Sequence, residues 1–294
     1  MIQTKVIQKV LKSILHLTKD IIKKESLKDI KIVGGVLVSR AGETLNLTIE
    51  NLLQWCDWIL IMLDNADLNT LKIVDQLKLR YPNRIRVEYS GFERLPKEDE
   101  GKPGKLLQRF KGLQGPIRET VFEYMRKENL KEKIDILVYP DSDEIFGNYF
   151  EKLLLEFWNA DEMKAIKMRC VWPFGDLKTI GVTKMCSHVR VFKFTPLITT
   201  DPWRHDWLRN PTPFTRKEFL IDRNTLIHIS HFIDSMIKWR TTEWRNFPSL
   251  EIPLWTLDKD VRETSSEEII NKLKTTPDLT IGEYIKKHGK NYTN

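Results

Sequence analysis

The chain has 294 residues, 41% hydrophobic and 10% aromatic, and 48 lysines and arginines against 41 acids give it a net charge of +7. That length fits one large domain or two small ones, and that apolar content supplies a packed core, which excludes a disordered chain. No run of about eighteen apolar residues occurs, so no spanning helix is expected. Three scattered cysteines, Cys56, Cys170 and Cys186, lack CxxC spacing; they argue against a zinc site or a disulfide framework and point to a reducing, cytoplasmic compartment.

Residues 2–24 place Ile7, Val10, Leu11, Ile14, Leu15, Ile21 and Ile22 at helical spacing among lysines, the pattern of an amphipathic helix with a basic face. Residues 1–30 hold seven lysines and three acids, about +4 of the net charge. Such a helix docks on its own domain or lies on a partner or on a membrane surface, here the inner face. No compact apolar segment with a small-residue cleavage site follows, so a cleaved secretion signal is not expected.

Residues 30–39 (IKIVGGVLVS) read as a buried strand, and Arg40 to Glu43 as a turn. Leu45, Ile49, Leu52 and Leu53 then mark one face of a helix. A second apolar strand over 58–63 ends at Asp64-Asn65. Leu68, Leu71, Val74 and Leu77 return to helical spacing before the Tyr81-Pro82-Asn83 turn. Residues 84–89 alternate as a third strand. This order, with short links, predicts right-handed βαβ units and a parallel sheet.

Residues 91–116 carry five glycines and three prolines and read as a long loop, basic in its second half. A helix over 117–127 leads into the fourth strand, Ile136 to Tyr139, which stops at Pro140 and delivers Asp141, Asp143 and Glu144. A helix over 148–158 follows, then strands over 165–171 and 189–194 with antiparallel partners. A proline- and tryptophan-rich stretch occupies 195–218, a short strand with two histidines 226–232, a helix 236–244, and two capping boxes open helices in the tail. The division expected is an N-terminal helix over 1–28, a domain over 29–250 (halves 29–147 and 148–250), and a helical tail over 251–294.

Three strand ends share one edge of such a sheet. The first offers Ser39, Arg40 and Glu43, the second Asp64, and the fourth Asp141 to Glu144, enough for one nucleotide-sized site. Asp141 and Asp143 are spaced to face one hard cation and the phosphates it carries; a solvated acidic loop is the bland alternative. Neither GxGxxG nor GxxxxGK[ST] occurs, so bound phosphates would be neutralised by a metal and by basic side chains.

The order of these parts resembles the GT-A fold of nucleotide-sugar glycosyltransferases, in particular the family-2-like branch. The resemblance rests on Val38-Ser39-Arg40-Ala41-Gly42-Glu43, Leu63-Asp64-Asn65 and Tyr139-Pro140-Asp141-Ser142-Asp143-Glu144, with Gly115-Pro116-Ile117-Arg118 before the acidic motif. Val189-Arg190-Val191-Phe192-Lys193 with His205-Asp206, and then Leu226-Ile227-His228-Ile229-Ser230-His231, extend it over about residues 30–245. It implies a mostly parallel α/β sheet flanked by helices, with a smaller antiparallel sheet on the acceptor side. It also implies a nucleoside-diphosphate sugar as donor, UDP-linked by preference, and Mn2+ or Mg2+ held by Asp141 and Asp143. A late histidine completes that set, His228 in preference to His231. The chain departs from the family in the Asp-Asn after its second strand, in Asp206 where a glutamate is usual, and in its two ends.

The chemistry of glycosyl transfer suits these residues, because a departing diphosphate needs a cation and basic donors. Arg118, Lys238 and Arg240 are candidates to grip phosphate, and Glu144 to orient its neighbours. Inverting displacement requires a carboxylate to take the acceptor proton. Asp206 is the candidate, oriented by His205, with Asp201 and Asp176 behind it. Trp172, Trp203 and Trp207 offer stacking surfaces or plain packing. The acceptor hydroxyl belongs to a surface polysaccharide, a lipid-linked molecule or a modified nucleic acid. A rival reading takes Pro140-Asp141 with Glu162-Met163-Lys164 as the PD-(D/E)xK set of a metal-dependent nuclease, and another takes the chain as a non-catalytic basic nucleic-acid-binding module.

Overall fold

Twelve described strands, four described α-helices and two short described 3-10 helices make up a computed structural model, which describes residues 26–96, 99, 105–173, 177–181, 187–200, 208–209, 219–229, 253–264, 267–269 and 271. In chain order the elements are β1 (Ile32–Val38), α1 (Thr44–Leu52), β2 (Trp58–Leu63), α2 (Leu68–Arg80), β3 (Ile85–Tyr89), α3 (Lys105–Asn129), β4 (Ile136–Val138) and β5 (Glu144–Phe146). There follow α4 (Phe150–Asn159), β6 (Ala165–Val171), β7 (Thr179–Gly181), β8 (Ser187–Lys193), β9 (Thr199–Thr200), β10 (Leu208–Arg209), β11 (Phe219–His228) and β12 (Pro253–Thr256).

Eight strands form one sheet in the order β3-β2-β1-β4-β8-β6-β11-β5. β3, β2, β1 and β4 are mutually parallel, as their βαβ links require. β8 runs antiparallel to both β4 and β6, β11 is parallel to β6, and β5 closes the far edge antiparallel to β11. This is the GT-A-like Rossmann arrangement. The two expected halves of the domain thus share one sheet. Among the described residues two small antiparallel ribbons stand outside this sheet, β9 with β10 and β7 with β12.

The strand alternation sorts side chains onto two faces. Val36 and Val38, Ile59 and Ile61, and Ile136 and Val138 join the core beneath α1, α2 and α4. Val33, Leu60, Leu137 and Tyr139 join the core beneath α3. At about 1.5–3 kcal/mol per fully buried large apolar side chain, these two layers fix the sheet and therefore the direction of its edge. The helices are anchored locally: Asp67 caps α2 by accepting the Thr70 N–H at 2.8 Å.

Two expectations shift. The stretch read as a loop to residue 116 is helical from Lys105, and α3 runs through Pro116. Gly112, Gly115 and Pro116 read as breakers, yet the proline removes only one intrahelical donor and the helix continues on both sides of it. The strand expected over 226–232 starts earlier, at Phe219. Residues 1–25, and with them the whole amphipathic pattern over 2–24, lie outside the described residues, as do most of the tail and the helix expected over 236–244. No helix among the described residues is long and apolar enough to cross a membrane.

Candidate functional site

The carboxyl ends of the parallel strands are joined across one edge by backbone contacts. The Ser90 N–H donates to the Leu63 carbonyl at 2.9 Å and the Asp64 N–H to the Val38 carbonyl at 2.8 Å, while Leu37 bridges Asp141 in parallel register. Ser90, Asp64, Ser39 and Asp141 therefore stand in a row, the place where open α/β sheets bind ligands. The register sets Ser39 beside Asp64; Arg40 follows Ser39 in the chain, and Glu43 is exposed at the start of α1.

Asp64 is buried and accepts the Ser90 hydroxyl at 2.7 Å. Asn65 adopts a left-handed φ of 51°, which asparagine tolerates, and its Oδ1 accepts the Leu95 N–H at 3.1 Å. Arg94 donates to the Ala66 carbonyl at 3.0 Å. These bonds pin residues 90–95 over the end of β2. Beside them a cavity of about 330 Å3 opens between Ser90, Phe92, Pro116, Glu119 and Thr120. Among the described residues the buried Ser39 Oγ, Asn65 Nδ2, Arg118 Nε and Tyr139 hydroxyl have no hydrogen-bond partner, so polar capacity is held in reserve around this edge. Burial pushes the Tyr139 phenol up to about 12, which keeps it a neutral hydroxyl.

The acidic motif is built from three sides. Thr48 of α1 donates to the Ser142 carbonyl at 3.0 Å. Asn51, one turn on, accepts the Phe146 N–H at 2.7 Å and donates to the Phe146 carbonyl at 3.0 Å, completing edge strand β5. On the other side His228 pairs opposite Glu144, and the Ile229 N–H donates to the Asp143 carbonyl at 2.7 Å. That register sets His228 Nε2 3.5 Å from Asp143 Oδ1. The Trp172 ring stacks on His228 at 5.6 Å.

Asp141 and Glu144 have different company. Arg190, only 1% exposed, donates from Nε to Glu144 Oε2 at 2.8 Å and from Nη2 to Glu144 Oε1 at 2.9 Å, and it also pairs with Asp141. Arg118 donates to the other Asp141 oxygen at 2.9 Å. Glu144 is fully buried and its Oε2 also accepts the Asp141 N–H at 2.8 Å. Burial alone would raise the Asp141 pKa, but the Arg190 and Arg118 guanidiniums outweigh it and hold the carboxyl well below the usual range.

The donor set at Asp143 and His228, one carboxylate and one imidazole facing each other at 3.5 Å, fits part of the coordination sphere of a divalent cation whose other ligands are phosphate and water. A second group, Glu144, Cys170 and His188, also converges; the Arg190 guanidinium chelating Glu144 makes it a poor cation site. Sequence reasoning named Arg190 only as part of a pattern and assigned Ser90, Asn51 and Asn65 no role. Their signal is tertiary, since each acts through a partner distant in the chain. Glu162 lies exposed in the turn before β6, outside the sheet, which leaves the nuclease pattern without its strand-borne acid. Asp176, Asp201, Trp203, His205, Asp206, Trp207, His231, Lys238 and Arg240 lie outside the described residues.

No protein-family model matches the chain, and no curated protein matches it. Among solved structures it is similar to TarS of S. aureus, at 12% identity and TM-score 0.39, over 73% of this chain and 40% of that one. For TarS 1–349 in complex with UDP-GlcNAc the values are 15%, 0.34, 56% and 45%, and for the same fragment with UDP 16%, 0.33, 56% and 47%. The chain thus spans less than half the length of each of these three structures, and likeness at this level adds nothing to the geometry above.

Proposed function

We propose that the protein is a metal-dependent glycosyltransferase that moves a sugar from a nucleoside-diphosphate sugar, UDP-linked by preference, to an acceptor hydroxyl with inversion. The observation that carries this reading is the Asp143–His228 pair at 3.5 Å, two residues past Asp141, which bridges the end of β1 at Leu37. A non-catalytic basic module gives no reason for acids to gather there.

In this reading Asp64, with Ser90 behind it, takes the base or ribose of the donor next to the cavity at Phe92 and Pro116, and Ser39 and Arg40 line the same edge. Asp143 and His228 hold Mn2+ or Mg2+, which when bound neutralises charge on the diphosphate. Arg118 keeps positive charge at the phosphates, and Lys238 is a further candidate from the sequence. Asp206, oriented by His205, takes the proton of the acceptor hydroxyl as the new glycosidic bond forms and the bond from the sugar to the diphosphate breaks, the nucleoside diphosphate leaving with that electron pair. Residues 1–28 give the protein a basic, amphipathic contact with the inner membrane face, which suits a lipid-linked or surface-polysaccharide acceptor.

A thermal-unfolding screen of nucleoside diphosphates, with and without Mn2+, tests the reading. One nucleotide should raise Tm in a Mn2+-dependent way, and Asp143→Ala should lose that gain. No shift with any nucleotide, together with Mn2+-dependent cleavage of DNA, would return the case to a nuclease.

A further inference from the structure

The register between β6 and β8 slips by one residue where it passes the acidic motif. Ile166 pairs with Val191 and the next residue, Lys167, pairs with Val189, so Arg190 is the extra residue of a β-bulge. Bulges re-aim side chains, and they concentrate beside active sites. The Arg190 carbonyl accepts the Tyr139 N–H at 2.7 Å, which fixes the bulge against the end of β4, and the side chain reaches the two acids flanking Asp143. Arg190 and Arg118 together face Asp141 and Glu144, two cations against two anions. Each Asp141 oxygen already faces a guanidinium. A dication drawn to Asp141 would also stand against two positive charges.

We propose that Arg190 is a positioning residue. Aimed by the β8 bulge, it ties Asp141 and Glu144 to the protein, while Asp143, with His228 beside it, is the carboxylate that meets the cation of a metal–nucleoside-diphosphate complex. The two aspartates of the motif then divide their work: Asp141 is a strut and Asp143 a ligand. This rests on the transferase reading above and sharpens its metal site.

The test is calorimetric titration of the full chain with UDP, with and without MnCl2, supported by electron paramagnetic resonance of bound Mn2+. Asp143→Asn should abolish the Mn2+-dependent gain in UDP affinity. Asp141→Asn should keep that gain within about fivefold, the screened effect of one lost charge. Arg190→Lys, which keeps the charge but not the planar fork, should leave metal-free UDP binding unchanged and cut the Mn2+-dependent gain by about tenfold to a hundredfold. A purely structural arginine would not split the two affinities in this way. Asp141→Asn losing as much as Asp143→Asn would overturn the inference and leave the transferase reading standing, and so would Arg190→Lys retaining the whole gain. A wild-type protein whose UDP affinity ignores Mn2+ would sink both.

Discussion

His228 Nε2 stands 3.5 Å from Asp143 Oδ1, and the backbone sets that distance. β11 brings His228 opposite Glu144 in antiparallel register, and the Ile229 N–H holds the Asp143 carbonyl. Replacing either side chain therefore leaves the scaffold in place. His228→Ala should unfold within a few degrees of wild type without ligand, yet lose most of the Mn2+-dependent stabilisation by UDP. At a hundredfold excess over the Kd measured with Mn2+, UDP stabilises wild type by about 2.7 kcal/mol in all, and the Mn2+-dependent part is what remains after subtracting the value without metal. A variant that keeps the full shift in thermal unfolding would remove His228 from the metal site.

Asn51 performs for β5 what a neighbouring strand would. Its side-chain amide satisfies both the N–H and the carbonyl of Phe146 on the side facing away from β11. Asn51→Ala leaves those two groups without partners at a buried edge, at a cost of about 1–3 kcal/mol. The urea midpoint should fall accordingly, and the Mn2+-dependent gain should weaken with it because β5 begins at Glu144. An unchanged midpoint would mean that water replaces the amide freely.

Gly35 is required by a close approach. A Cβ there would lie 2.9 Å from Val121 Cγ1 and 3.3 Å from both Met125 Cε and Tyr139 Cδ2, so β1 and α3 pack closer than alanine allows. Gly35→Ala should destabilise by about 1–3 kcal/mol through overpacking. Adding Val121→Ala removes the nearest atom, so the double variant should be more stable than the sum of the two changes implies. Strict additivity in chemical unfolding would contradict the contact.

Lys193 gives a pH dependence whose sign is fixed. Half-buried against Phe157 and Trp158, with its ammonium donating to the Ala160 carbonyl at 2.7 Å, it is desolvated and its pKa falls to about 8. Below that value both folded and unfolded chains carry the proton and the burial penalty is in full force. Above it, up to the ordinary lysine value, the unfolded chain binds more protons than the native one, so stability rises with pH. Lys193→Met lacks this contribution. The Tm of wild type minus that of the variant should therefore climb between pH 7 and pH 10, and a flat or falling difference would show that the lysine titrates normally.

Much of this protein is legible from residue patterns. The even and odd positions of residues 32–38 and 58–63 separate onto the two faces of the sheet as their apolar continuity implies, because side-chain direction along a strand is local geometry. The row formed by Ser39, Asp64 and Asp141 follows from parallel strands ending together. What local pattern conceals is any contact between distant segments. Residues 105–116 read as loop because glycine and proline weigh heavily in a single-sequence judgement, whereas α3 continues through them. The β8 bulge leaves no trace in Val189-Arg190-Val191, and Asn51 looks like any polar residue on a helix.

Residue pattern sets the alternation of strands and helices over residues 32–89, the parallel sheet they build, and the arrival of acids where the fourth strand stops, since hydrophobic period and strand ends are properties of neighbouring residues. Folding alone sets which charges face which acid. Asp141 and Asp143 are chemically identical and one residue apart, yet a guanidinium aimed by a slipped register meets one, and an imidazole on an antiparallel strand meets the other. A carboxylate takes its role from the charges that face it, and those arrive from parts of the chain that only folding brings near.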